Sequence, residues 1–356
     1  MKIPTTRLAL FLFCFALMLR GESVATPVIT TTYRVQQNVT LAKIPFGAQT
    51  VKWWIAIPDD DRYQEVLDFN VVSAPGQWST VTEPDHGNRF MLVEVTNPMA
   101  PSLETKVEFT VRRRSVFTEI DPAQAGPITD SHRRLFADEL RTDALHMEAS
   151  PKIVQLAQAT CGVETNIAKQ AALLLTAVAD YADHYSKDAS KPKCSIGDAG
   201  DCMTNAGGCC TDMHSMFIAL ARARGIPARL QMGYRLREAN EGKEVDPGYR
   251  CWAEYFVPGY GWVSADIVEA DAPNGLGRTR WFSGLTERRL WLNEGREFAL
   301  AGRSVTAQRV NTMVIGYAEI DGVEARVLAD EVANIPAQIT RTVRYTEIKP
   351  VTPVVK

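Results

Sequence analysis

Cys209-Cys210-Thr211-Asp212-Met213-His214 runs into Ser215-Met216-Phe217-Ile218-Ala219-Leu220-Ala221-Arg222-Ala223-Arg224, and Gly225-Ile226-Pro227-Ala228-Arg229 closes the stretch. Apolar residues at helical spacing predict a helix over Met213–Arg224, stopped by Gly225 and Pro227. Gly207-Gly208 precedes it, so the Cys210 thiol stands where glycine-rich coil becomes helix. The first turn of a helix has backbone N–H groups without intrahelical partners and a partial positive charge, and both favour a thiolate over a thiol. Asp212 is of the type that caps such a start. Gly207-Gly208 would allow close backbone approach, and the Cys210 N–H is the natural donor to an oxyanion.

Downstream the period changes from helical to alternating. Arg229–Tyr234 and Cys251–Val257 read as strands, and Pro258-Gly259-Tyr260-Gly261 turns the second into Trp262–Asp266 as a hairpin. Upstream the pattern is helical. Asp130-Ser131 can cap a segment through Leu140, and Ser150-Pro151 a segment through Ala159. Asn166 opens a long helix with Ile167, Ala171, Leu174, Leu175 and Val178 on one stripe. Gly197–Gly208 reads as a loop rich in Gly, Asp and Cys. A cysteine at a helix start followed by antiparallel strands that carry a base and its orienting acid is the arrangement of thiol acyl transfer.

Three ordered blocks carry a family likeness: Gly208–His214, Ala221–Arg229, and Cys251-Trp252-Ala253-Glu254 with Pro258–Val263 and Asp266. Together they resemble the transglutaminase-like family on its papain-like α+β fold. The resemblance spans roughly Gly197 to Asp266, about a fifth of the chain. It implies Cys210 as nucleophile and Asp266 as the acid that orients the base. The base itself, a histidine in the family, falls on Arg250. Arginine stays protonated, so it can favour a thiolate and pair with Asp266, but it cannot take the thiol proton and return it to a leaving amine. General acid–base help is worth on the order of 10²–10⁴-fold.

The remaining histidines are His86, His132, His146, His184 and His214. His214, four residues from Cys210 and on the same helix face, reads as a packing and hydrogen-bonding residue, with the base as its other reading. His184, at the end of the long helix, is the weaker substitute. Gly208 and Trp252 are the candidate binding residues, and core packing is the other reading of Trp252. Cys210 could instead be half of a disulfide or of a vicinal pair with Cys209. The sequence names no second oxyanion donor.

Outside this core the chain divides by pattern. Residues 27–120 alternate as short strands, including Thr31–Val35, Val51–Ile57, Arg89–Val95 and Lys106–Arg112, which suggests a β-sandwich. His86 falls in a turn. Asp121–Ile128 marks the boundary to a core at 130–275, followed by a β-rich extension at 276–348, notably Thr312–Glu319, and a frayed end at 349–356. The expected fold class is α+β: a sandwich-like leader, a transglutaminase-like core and a β-rich tail.

Residues 1–25 read as a signal peptide. Lys2 and Arg7 precede a twelve-residue apolar run, Leu8–Leu19, and Ser23-Val24-Ala25 offers a cleavage site. An uncleaved anchor is the rival reading, though the run is short for a span. The expected mature chain is secreted or periplasmic, with no stable membrane span. Of seven cysteines, Cys14 leaves with the signal. Export favours disulfides among Cys161, Cys194, Cys202, Cys209, Cys210 and Cys251, with the pairing open. The seven- and six-residue gaps separating Cys194, Cys202 and Cys209 do not fit a structural zinc knuckle. No EF-hand-type loop occurs, so no metal or cofactor is expected.

The 356 residues carry 46% apolar and 23% charged side chains and a net charge of −3, which gives no argument for nucleic acid as a partner. Two functions follow. One is an exported thiol enzyme acting on protein or peptide amides by acyl transfer or hydrolysis, impaired by Arg250. The other is an inactive relative that binds a peptide or an envelope partner.

Overall fold

The computed structural model describes residues 27–193, 196–272, 276–304, 308–327 and 337–349. The expected signal segment, Cys14 and Cys194, and the expected frayed end beyond Lys349 lie outside the described residues.

The leader is built from β1 (Thr30–Ala42), β2 (Thr50–Ala56), β3 (Gln64–Ser73), β4 (Gln77–Thr82), β5 (Arg89–Thr96), β6 (Ser102–Arg114) and the short β7 (Val116–Phe117). In β1 every second residue from Thr31 to Leu41 is buried, the period-two signature of a half-buried strand. The Gln37 side chain on β1 donates to the Ala56 carbonyl of β2 at 3.1 Å and ties two sheets together. Trp53, Phe90, Tyr33 and Phe109 are fully buried there.

The helical layer follows: α1 (Asp130–Leu135), α2 (Pro151–Cys161) and α3 (Ile167–Tyr181), then β8 (Asp183–His184), α4 (Ala199–Asn205), β9 (Gly207–Gly208) and α5 (Cys210–Ala223). Ser150 and Asn166 cap α2 and α3 by accepting from Ile153 N–H and Lys169 N–H. Three details depart from the sequence pattern. Thr129, not Asp130-Ser131, caps α1, through a reciprocal pair of bonds with His132, and the helix stops at Leu135. The expected 197–208 loop contains α4, because Asp198 accepts from both Gly200 N–H and Asp201 N–H and nucleates a turn. Helix α5 begins at Cys210 rather than Met213.

Next come β10 (Ala228–Arg235), β11 (Tyr249–Val257), β12 (Gly261–Ala265), α6 (Ile267–Ala270), α7 (Arg278–Trp281), β13 (Gly284–Leu285), β14 (Arg289–Glu294), β15 (Tyr317–Ile320), β16 (Val323–Glu324) and β17 (Ile339–Glu347). The core sheet has the order β12-β11-β10-β14, and α5 packs on it with Phe217 5.8 Å from Tyr255. Residues Cys210 to Arg222 of α5 are all buried, so it is the central helix of the domain.

The strands of the 276–348 stretch enter four sheets: β13 pairs with β7, β14 completes the core sheet, β15 pairs with β2, and β17 pairs with β1 over Tyr33↔Glu347 to Leu41↔Ile339. The two sheets of the leader are thereby β17-β1-β6-β3 and β16-β15-β2-β5-β4. Of Thr312–Glu319 only the end, from Tyr317, is strand. The architecture is α+β, with β-sheets before and after a helix-on-sheet core.

Candidate functional site

The start of α5 is fixed by a carboxylate. Asp212 Oδ2 accepts from Cys209 N–H at 2.7 Å and Oδ1 from Asp198 N–H at 3.0 Å, which joins the helix start to the cap of α4. Burial pushes its pKa up to about 6, against those two bonds. Gly208 must be glycine, since a Cβ there would lie 2.6 Å from Asp212 Oδ2. A Cβ on Gly207 would lie 2.2 Å from the Asp183 carbonyl oxygen, where β9 meets β8.

Cys210 is a free thiol, 3% exposed, on the first residue of this helix. Cys209 beside it is disulfide-bonded. The Cys251 side chain hydrogen-bonds Cys210 and lowers its pKa well below the ordinary thiol value; burial opposes this, while a hydrogen bond from His184 and the charge of Arg250 reinforce it. Cys251 Sγ also lies 3.7 Å from Thr211 Oγ1 and 3.4 Å from His214 Nδ1. Burial, and then the neighbouring Cys210, hold the Cys251 thiol well above its ordinary value, so the pair shares one charge and places it on Cys210. Cys251→Ala is therefore expected to move the pH onset of Cys210 alkylation upward; an unchanged onset would remove Cys251 from this role.

His214 is a tether rather than a base. Ile267 N–H donates to its Nε2 at 3.0 Å, so Nδ1 carries the proton and donates to the Cys210 carbonyl at 2.6 Å. Both nitrogens are used, and burial keeps the ring neutral.

Behind the thiol lies a buried charge cluster. Asp266 follows β12 and is 0% exposed. Its Oδ2 accepts from Arg289 Nη2 at 2.7 Å and Nε at 3.3 Å, and its Oδ1 from Glu269 N–H at 3.1 Å. Burial raises its pKa, but Arg289 and Arg250 outweigh burial and bring it to about 2. Arg250, 9% exposed, sits opposite Gly233 on β10 with Nη2 3.6 Å from Glu269 Oε1. Burial disfavours its charge; Asp266, Cys210 and Glu269 more than compensate and hold its pKa above the usual value. Glu269 also meets Arg235 at 2.6 Å and Arg289 at 3.1 Å.

The structure thus brings Cys210, Arg250 and Asp266 into one buried electrostatic unit, with Gly208 bounding the helix start. Trp252 does not join them as a binding surface: at 1% exposure its indole is core, on a strand whose consecutive residues Arg250 to Tyr255 are all buried. Sequence reasoning missed two participants and placed a third only as a weak substitute base. Cys251 carried a signal, since it stands between Arg250 and Trp252 on the strand that faces α5. Arg289 carried none, and the position of His184 beside the helix start was not readable, because strand pairings non-adjacent in sequence bring them in.

A cleft of about 1350 Å³ opens beside the site, lined in part by Thr211, Tyr249, Arg229, Glu294 and Arg296. The Tyr249 hydroxyl lies 3.2 Å from Thr211 Oγ1 and 3.3 Å from Cys209 Sγ, so this ring stands between cleft and thiol. Arg296 holds the rim by donating to the carbonyls of Ile196 and Gly197. Among the described residues no group of three or more His, Cys, Asp or Glu could hold a metal, and no helix is long and apolar enough to cross a membrane.

Helix-start thiol, helical layer and following antiparallel sheet define a papain-like thiol domain, and residues 154–267 match the family described as the transglutaminase-like superfamily. Residues 154–267 are thus similar to that family. The chain is 27% identical over 260 residues to an uncharacterized protein of Haemophilus influenzae, covering 67% of this chain and 69% of the other. In structure it is similar to a candidate cysteine protease from Cytophaga hutchinsonii, with a TM-score of 0.59 and 16% identity over 92% of this chain and 94% of that one. This second likeness is one of fold.

Proposed function

We propose that the chain is an exported thiol protein whose Cys210 accepts acyl groups from protein or peptide substrates, with amide cleavage curtailed by Arg250. The observation that carries this reading is the free Cys210 thiol on the first residue of α5, where the helix start and the nearby Arg250 favour the thiolate. The basic start and apolar run of residues 1–25 support export, and the likeness to a candidate cysteine protease agrees with peptide substrates.

The reaction follows from the groups present. The Cys210 thiolate attacks the carbonyl carbon, a C–S bond forms, and the oxygen takes up the electron pair. Collapse then expels the leaving group and leaves a thioester. An amine leaves only with a proton, and Arg250 keeps its own. A nitrophenolate leaves without one. p-Nitrophenyl acetate is therefore expected to release about one equivalent of nitrophenolate per chain in a burst, and Cys210→Ala to release none. A wild-type chain with no Cys210-dependent burst would sink the proposal.

A second reading, a binding module without chemistry, draws on the low exposure of Cys210 and the large mixed-charge cleft beside it. It predicts no burst, with peptide retention unaffected by Cys210→Ala.

A further inference from the structure

We propose that His184 is the second oxyanion donor of this site, the partner of the Cys210 N–H; the inference rests on the acylation reading above. Strand β8 places His184 beside Gly208, two residues ahead of the thiol, through a parallel pairing in which Tyr185 N–H donates to the Gly208 carbonyl at 2.8 Å. The ring is buried and hydrogen-bonds the Cys210 side chain.

Its tautomer is fixed from the other side. Ser186 N–H donates to His184 Nδ1 at 3.2 Å, and the Ser186 hydroxyl lies 2.7 Å from the same nitrogen. Nδ1 must offer a lone pair there, so Nε2 carries the proton and is the nitrogen left to face the sulfur. A ring held in this state donates; it does not abstract the thiol proton. When a carbonyl carbon bonds to the sulfur, the developing oxyanion forms one atom beyond it, within reach of the same N–H. The backbone donor at the helix start and this imidazole then flank the charge, the two-donor arrangement that acyl transfer uses. The glycine pair makes it possible, since a Cβ on Gly207 would push β8 away.

The test separates donor, base and scaffold. The rate of p-nitrophenyl acetate acylation is compared with the rate of iodoacetamide alkylation, which forms no oxyanion, both on the plateau above the thiol pKa. His184→Leu is expected to slow acylation roughly 10²–10³-fold while alkylation stays nearly unchanged, and His184→Gln, which keeps an N–H donor, to restore most of the loss. Acylation by His184→Leu at the wild-type rate would overturn the inference, and so would a parallel fall in both rates, which marks a merely structural role. His184→Gln as slow as His184→Leu, with a shifted pH profile, would make the ring a base and overturn it as well. A wild-type chain that alkylates at Cys210 but never acylates would overturn the acylation reading and this donor together.

Discussion

Arg250→His is expected to raise amide turnover by roughly 10²–10⁴-fold, the usual worth of a general acid–base group, while the ester burst changes little. The scaffold for the exchange is in place. Asp266 is ionised, buried and held by Arg289 and by Glu269 N–H, so it can orient an imidazole on β11. Cys210 has its hydrogen bonds from Cys251 and His184 whichever residue stands at 250. Glu269 retains Arg235 and Arg289 when Arg250 is removed, so no buried carboxylate is stranded. The imidazole would take the thiol proton and give it to the departing amine, the one step an arginine cannot perform. Amide release from a peptide library, wild type against variant, measures the gain. A variant that folds, alkylates at Cys210 and releases no more amine than wild type would show that the block lies elsewhere.

Arg289→Met is expected to destabilise the fold by about 3–5 kcal/mol, the typical cost of leaving a buried charge without its partner. Arg289 is 1% exposed and bonds Asp266, itself fully buried, so water cannot replace the lost guanidinium. Urea unfolding followed by tryptophan fluorescence measures it; a loss below about 1 kcal/mol, the level of a surface pair, would contradict the assignment. The same pair sets an acid limit. Asp266 titrates at about 2 in the folded chain against 3.8 for the free side chain. The folded state binds fewer protons, so this contribution is complete above about pH 4 and is lost as pH falls toward 2. In Arg289→Met the carboxyl pKa rises toward the free value, so this acid-sensitive contribution shrinks.

How much of this was legible in the sequence varies with the range of the interaction. The α5 helix and the strand pair β11–β12 are local patterns, and apolar period plus a Gly-Pro stop was enough to place them, although the helix starts three residues before the expected Met213. Arg250 and Asp266 were legible through the family likeness of the blocks that contain them. α4 escaped because a seven-residue helix capped by Asp198 leaves no apolar stripe. Arg289 escaped for a different reason, and so did the place of His184 beside the helix start, although the sequence offers that ring as a weaker substitute base. Each is brought in by a strand that pairs out of sequence order, β8 with β9 and β14 with β10, and local periodicity has no access to such partners. Trp252 shows the opposite case: of its two readings, ligand contact and core packing, the central strand selects the core.

The pairing of β17 with β1 has a consequence for how the molecule is made. The first strand of the sandwich finds one of its two neighbours only after some three hundred further residues have been synthesised. Contacts so distant in sequence are slow to form, and until then β1 presents a bare edge to other chains. A chain cut before Ile339 would carry that edge permanently, and its first defect would be self-association rather than loss of thiol reactivity.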